Sequence, residues 1–125
     1  NQPLWEHSGE KLFIEGNGPG SRVSPVKNND SAKQIETISI DDFVCQKCLD
    51  RIDFIKMDIE GAELMALKGA EVSIRKFRPK MAISIYHKLE DFWTIPQFLA
   101  SLNMEYKFVI RHFTIHQEET VLFVF

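Results

Sequence analysis

The stretch Ile52–Ala70, IDFIKMDIEGAELMALKGA, decides how this chain folds. Its first part, Ile52 to Ile59, is mostly apolar, with three Ile, one Phe and one Met. A short run of that kind predicts a strand buried on both faces, as in a parallel sheet. Gly61 permits a sharp turn, because it lacks the Cβ that restricts other residues. From about Ala62 to Lys76, Leu64, Leu67, Ala70 and Ile74 recur at helical spacing and predict one helix. Strand, tight turn and helix in direct succession form the opening of a βαβ unit.

The flanks extend the pattern. Pro79 ends the helix and opens a second strand, Lys80 to Tyr86 (KMAISIY). A second amphipathic helix is predicted from about Asp91 to Asn103, with Phe92, Ile95, Phe98, Leu99 and Leu102 as its apolar stripe. Pro96 is tolerable only near the start of that helix. Tyr106 to Thr114 and Thr120 to Phe125 read as strands, and the short connection suits an antiparallel hairpin. On the N-terminal side, Asp41 and Asp42 read as the N-cap of a short helix carrying Phe43, Val44 and Leu49. From residue 41 the main order is therefore β-α-β-α-β-β. Short loops between the first strand, helix and second strand imply a right-handed crossover and a parallel pair. The fold class is α/β, a mixed sheet with parallel strands and a terminal antiparallel hairpin.

Residues 1–40 are irregular and polar. Two β-like runs, Lys11 to Glu15 (KLFIE) and Gln34 to Ile40 (QIETISI), are expected to pair as an irregular ribbon. Between them lies GNGPGSRVSPVKNNDS, Gly16 to Ser31, whose composition marks a surface loop. A loop that long inside a compact domain is often functional. Nothing before Asp41 reads as the first βαβ unit of a doubly wound domain. Residues 1–125 are thus expected to form a partial domain, with the other half of the sheet outside them.

Bulk properties exclude several classes. A length of 125 residues suits one domain. Hydrophobic residues at 44% and charged residues at 26% exclude a disordered or fibrous chain. A net charge of −3 offers no basic face for nucleic acid. No apolar run approaches the ~20 residues of a membrane span. No secretory signal pattern is visible and two Cys make no disulfide scaffold, so a cytoplasmic location is the expectation. Cys45 and Cys48 form a CxxC, but zinc needs a second pair or histidine partners. They read as two small apolar residues on one helical turn. His7, His112 and His116 show no metal-ligand spacing, and Trp5 and Trp93 read as packing residues.

Ligands of open α/β sheets bind outside the carboxyl ends of the strands. The first strand end carries Lys56, Asp58 and Glu60, and the second carries Tyr86 and His87. Neighbouring strands lie about 5 Å apart, so Asp58, Glu60 and His87 would face one crevice. A carboxylate and an imidazole there can share proton-transfer work. Asp58 stands out as a charge inside an apolar run, which is costly unless paired or used. Each residue also has a plainer reading. Polar groups are common where strands emerge into solvent. Glu60 and Glu63 suit the positive end of the following helix. Lys56 can serve only to neutralise nearby carboxylates. No Gly-x-Gly-x-x-Gly, Walker A or nucleophile elbow is present.

These residues resemble a known family. Ile52–Ala70 closely resembles the signature of FkbM-family methyltransferases: an apolar strand, Lys-x-Asp-x-Glu-Gly-Ala-Glu, then Leu-x-x-Leu-Lys-Gly-Ala. TISIDDF (Thr37–Phe43), RPKMAISIYH (Arg78–His87), YKFVIRHF and ETVLFVF are similar to the segments that flank it in the family. The resemblance implies the C-terminal half of a class I (Rossmann-like) methyltransferase fold. Ile52–Ile59 would be its fourth strand, Lys80–Tyr86 its fifth and the tail its last two. It further implies S-adenosylmethionine as cofactor and O-methyl transfer to a hydroxyl of a sugar or small metabolite. On this reading Asp58, Glu60 and His87 are the catalytic candidates, and Asp58 also meets the cofactor. Lys56, Glu63 and Tyr86 would lie near the substrate, with no metal ligand among them.

The family's first strand, its glycine-rich cofactor loop and its ribose-binding second strand have no counterpart here. The isolated chain is therefore expected to be inactive, with activity residing in the parent protein. The first alternative is a non-catalytic remnant that binds a carbohydrate or a protein. The second is metal-assisted transfer, with Asp58 and Glu60 as oxygen ligands of Mg²⁺. The open edge of the Ile52–Ile59 strand predicts self-association.

Overall fold

Alternating Leu12 and Ile14 in the first β-like run seed a small antiparallel sheet in the computed structural model, which describes residues 2–16, 21–27, 32–116 and 118–125. Strand β1 (Lys11–Glu15) lies at its centre, between β2 (Arg22–Ser24) and β3 (Lys33–Glu36). Phe13 pairs with Ser24 on one side and with Gln34 on the other. The predicted ribbon is thus present, with two corrections. Its second run ends as a strand at Glu36, because Thr37 turns away: its hydroxyl donates to the His7 carbonyl at 2.6 Å and accepts from the Glu10 amide at 3.0 Å. The Gly16–Ser31 segment also contributes a strand, β2, and is not wholly irregular. Residues 17–20 and 28–31 of that segment lie outside the described residues, as does any closure of it over a ligand.

Helix α1 (Ile40–Gln46) is capped by Ser39, whose hydroxyl accepts from the Asp42 amide at 3.0 Å. The predicted Asp41–Asp42 cap is displaced by one turn's start, since Ser39 already holds extended backbone. Asp41 instead caps another helix. Its carboxylate accepts from the amides of Val72 (3.0 Å) and Ser73 (2.7 Å). That contact accounts for a further correction. The single helix predicted from Ala62 to Lys76 is two helices, α2 (Glu63–Lys68) and α3 (Glu71–Phe77). The chain breaks at Gly69, where the Trp5 backbone presses in, and Asp41 starts the second helix afresh. Helix α3 ends on Arg78 in the left-handed conformation, one residue before Pro79.

The main sheet has the order β4-β5-β7-β6. Strand β4 (Phe54–Met57) runs parallel to β5 (Lys80–Ser84), with Met57 opposite Ile83. Strands β6 (Phe108–His112) and β7 (Thr120–Val124) form the expected hairpin, and β7 pairs antiparallel with β5. One face of this sheet carries Met57, Met81, Ile83, Leu122 and Val124, all buried. It packs on Ala66 and Leu67 of α2, Ile74 of α3, and Ile95, Leu99 and Leu102 of or beside α4 (Asp91–Ser101). Burying a side chain of this size contributes roughly 1.5–3 kcal/mol.

The prediction that the first strand is buried on both faces does not hold for these residues. Phe54 is 56% exposed and Lys56 is exposed, because β4 is the edge of the described sheet and only its Ile55–Met57 face meets the helices. Two smaller expectations also fail, since Phe92 and Trp93 of α4 face outward while Asp91 is buried. Cys45 lies in α1 and Cys48 just beyond it, both as free, exposed thiols.

Candidate active-site crevice

The turn after β4 shapes the site. Glu60 and Gly61 both have positive φ, 57° and 92°. A non-glycine residue there is uncommon and stores strain, which functional turns often do. The turn is closed from below by Glu63, the first residue of α2. Its Oε1 accepts from the Ile59 amide at 2.8 Å, although its side chain is fully buried. Lys88 donates to the Gly61 carbonyl and clamps the turn from the β5 side.

The parallel pairing of β4 and β5 brings their ends together. His87 Nε2 stands 3.6 Å from Asp58 Oδ1 and 3.9 Å from Glu60 Oε2. On the other side of the ring, Nδ1 faces Glu63 Oε1 at 2.9 Å. The imidazole is 4% exposed, and neither nitrogen has the alignment of a hydrogen bond. Its ring lies 4.2 Å from that of Tyr86, centroid to centroid. Tyr86 donates to Asp58 Oδ1 at 3.2 Å, and Lys56 donates to Asp58 Oδ2 at 3.3 Å. Partial burial works against the Asp58 charge. Hydrogen bonds from Ser84 and Lys56, the Lys56 ammonium and the Tyr86 hydroxyl outweigh it and hold the carboxyl below its ordinary value. Burial and the Asp58 charge push the Tyr86 hydroxyl up to about 12, so it stays a donor.

All six residues singled out from the sequence therefore meet in one crevice. Their roles divide by exposure. Asp58 and Glu60 open to solvent, with side chains 35% and 28% exposed, whereas Glu63 is sealed behind His87. Three of the six, Glu60, Tyr86 and His87, line a cavity of about 1530 Å³. Its walls add residues that no local pattern distinguished. Arg22 arrives from β2 and approaches Glu60 Oε2 at 3.8 Å. His112 and His116 come from the β6–β7 hairpin, and Leu89 and Phe92 from the start of α4. The ribbon reaches the site because Trp5, Leu12 and Val23 pack on Ile59, Ala62 and Met65 around the turn.

Asp91 lies behind this cluster. It is 2% exposed, and its Oδ2 has no hydrogen-bond partner. Burial first, and the Glu63 charge second, push its carboxyl from 3.8 to about 6. The unfolded chain ionises first as pH rises, so stability falls between those two values and the penalty is complete above the higher one. Asp91→Asn should therefore stabilise the fold near pH 8 by at most about 3 kcal/mol. The gain should vanish below about pH 4. Urea unfolding of both proteins at the two pH values checks this, and a pH-independent difference would refute it.

A parallel pair continued by an antiparallel hairpin makes a mixed α/β sheet, with acidic residues and an imidazole at the strand ends where such sheets bind ligands. The comparisons with known proteins give the family. Residues 4–114 match the model described as Methyltransferase FkbM domain. The chain is also similar to the crystal structure of Methyltransferase FkbM from Methylobacillus flagellatus KT, with 33% identity and a TM-score of 0.68. That match covers 94% of this chain and 26% of the other, so the chain spans about a quarter of that protein's length. No curated protein matches the chain. The chain belongs to the FkbM methyltransferase family. No helix among the described residues is long and apolar enough to cross a membrane.

Proposed function

We propose that this chain forms the acceptor side of an S-adenosylmethionine-dependent O-methyltransferase whose whole length includes further sheet and the cofactor loop. The observation that carries this reading is the buried, unpartnered Nε2 of His87, which stands between Asp58 and Glu60 at the edge of the cavity that His87 and Glu60 line. The acceptor would be a hydroxyl of a sugar or small metabolite.

The residues present fit the methyl donor on one side. Asp58 is held as a carboxylate by Lys56, Ser84 and Tyr86, and a fixed negative charge suits a cationic donor. When bound, S-adenosylmethionine supplies a methyl group on a positively charged sulfur, ready for in-line displacement by oxygen. The chain's own contribution is alignment and proton handling. Positioning alone can account for much of a rate gain of this kind. The acceptor hydroxyl would rest against Asp58 and His87 and pass its proton to that pair. Glu63 keeps the imidazole facing the crevice, and Glu60 with Arg22 forms the rim that orients the acceptor.

Asp58→Asn in the full-length protein keeps the shape and removes the charge. It should lower methyl transfer about 10²-fold with the fold unchanged. Transfer of labelled methyl from S-adenosylmethionine to a panel of hydroxylated acceptors measures this. Wild-type turnover in the variant would remove Asp58 from the mechanism.

A further inference from the structure

Asp58, Glu63 and His87 each bring a ligand atom to within 4.8 Å of one another, and Glu60 stands beside them. His87 makes this more than a group of acids. Its ring is 4% exposed, and Nε2 points between two carboxylate oxygens without a hydrogen bond to either. The separations of 3.6 and 3.9 Å are too long for hydrogen bonds. Two ligands of one small divalent ion, each about 2.1 Å from it, stand roughly 3–3.5 Å apart. Nε2 needs to close on each of these two oxygens by only a few tenths of an ångström to share an ion with it.

We propose that His87 Nε2, Asp58 Oδ1 and Glu60 Oε2 form a divalent-cation site, with Glu63 orienting the imidazole from its Nδ1 side. A carboxylate behind a metal-binding histidine is the usual means of fixing its tautomer and ring orientation. Here Glu63 holds that position at 2.9 Å, itself anchored by the Ile59 amide. Two carboxylates and one imidazole suit Mn²⁺ among the common divalent ions. Three ligands from one side leave positions open toward the cavity. The nearby cations do not block the site. Lys56 and Arg22 approach Asp58 and Glu60 with side chains 65% and 67% exposed, free to swing into solvent.

The assignment depends on the methyl-transfer reading only for the ion's use, which would be to bind the acceptor oxygen and acidify its hydroxyl. With the ion bound, Asp58 and His87 hold it in place of receiving the hydroxyl proton, which then goes to solvent.

Electron paramagnetic resonance of Mn²⁺ tests the site on the chain itself. Protein in slight excess should remove most of the free-ion signal at one ion per chain. Glu63→Gln should weaken binding about 10–100-fold, as loss of a supporting carboxylate does. His87→Ala and Glu60→Gln should abolish it, with circular dichroism confirming that each variant is folded. Glu60→Gln, at an open turn, decides the matter if His87→Ala fails to fold. An undiminished free-Mn²⁺ signal, or binding that survives Glu60→Gln unchanged, would overturn the site. A full-length protein that binds Mn²⁺ without transferring methyl from S-adenosylmethionine to any acceptor of the panel would keep the site and overturn the methyl-transfer reading. One that methylates without binding the ion would do the reverse.

Discussion

Replacing His87 by Ala in the full-length protein should lower kcat for methyl transfer by about 10²–10⁴-fold, the usual contribution of a positioned proton acceptor. The expectation comes from its place in the fold. The ring sits at the meeting of two parallel strand ends, 4% exposed, with its unpartnered Nε2 between Asp58 and Glu60. Two further imidazoles, both from the hairpin, line the same cavity. His112 is tied to Thr120 at 2.8 Å, and His116 lies on the wall. The Ala variant has one complication, because it leaves the fully buried Glu63 carboxylate facing a void. His87→Gln separates the two effects. Its polar amide fills the space beside Glu63, so the variant should fold like wild type and be as inactive as His87→Ala. Turnover within threefold of wild type in His87→Gln would show that the imidazole handles neither the proton nor an ion.

The largest stability effect is expected at Gly69, between α2 and α3. A methyl group there would overlap the Trp5 carbonyl oxygen and stand 3.0 Å from that of Glu6. Both are backbone atoms, so no side-chain rotation relieves the clash. The segment cannot slide either. The Trp5 amide donates to the Ile38 carbonyl at 3.1 Å, the Ile38 amide to the Pro3 carbonyl at 3.0 Å, and the Gly9 amide to the Thr37 carbonyl at 3.0 Å. Gly69→Ala should thus cost about 3 kcal/mol, the upper range for overpacking. Helix propensity acts the other way by about 1 kcal/mol, since Ala favours joining α2 to α3. Urea denaturation resolves the balance. A variant as stable as wild type would mean that the N-terminal segment is not packed tightly on the helix break.

The same contact links stability to the site. Trp5 and Leu12 seat the small sheet against Ala62, Ile59 and Met65, and that sheet carries Arg22 to Glu60. Loosening Gly69 should therefore disturb the rim of the crevice as well as the core.

Much of this was legible from the chain alone, for identifiable reasons. The apolar run Ile52–Ile59, the Pro79 boundary and the turn before Thr120 each act locally, through side-chain period, a fixed φ or a missing amide. Strand order across the parallel pair follows from short crossover geometry, and with it the meeting of Asp58 and His87. Local rules could not show the break at Gly69, since Leu64, Leu67, Ala70 and Ile74 keep helical period straight through it. The break is made by Trp5 and Asp41, far away in sequence. Nor could they show that Glu63 and Asp91 are buried, because an acidic residue in a first helical turn has the same local signature whether it faces water or core.

The sequence by itself thus determined the strands of the main sheet, the parallel crossover and the residues at its two ends, because these depend on neighbours along the chain. Only the tertiary structure decided which acids are sealed and which are open, how the small sheet brings Arg22 to the rim, and which ring nitrogen faces the cavity. Those features depend on the dielectric and on steric contacts created when distant segments pack together.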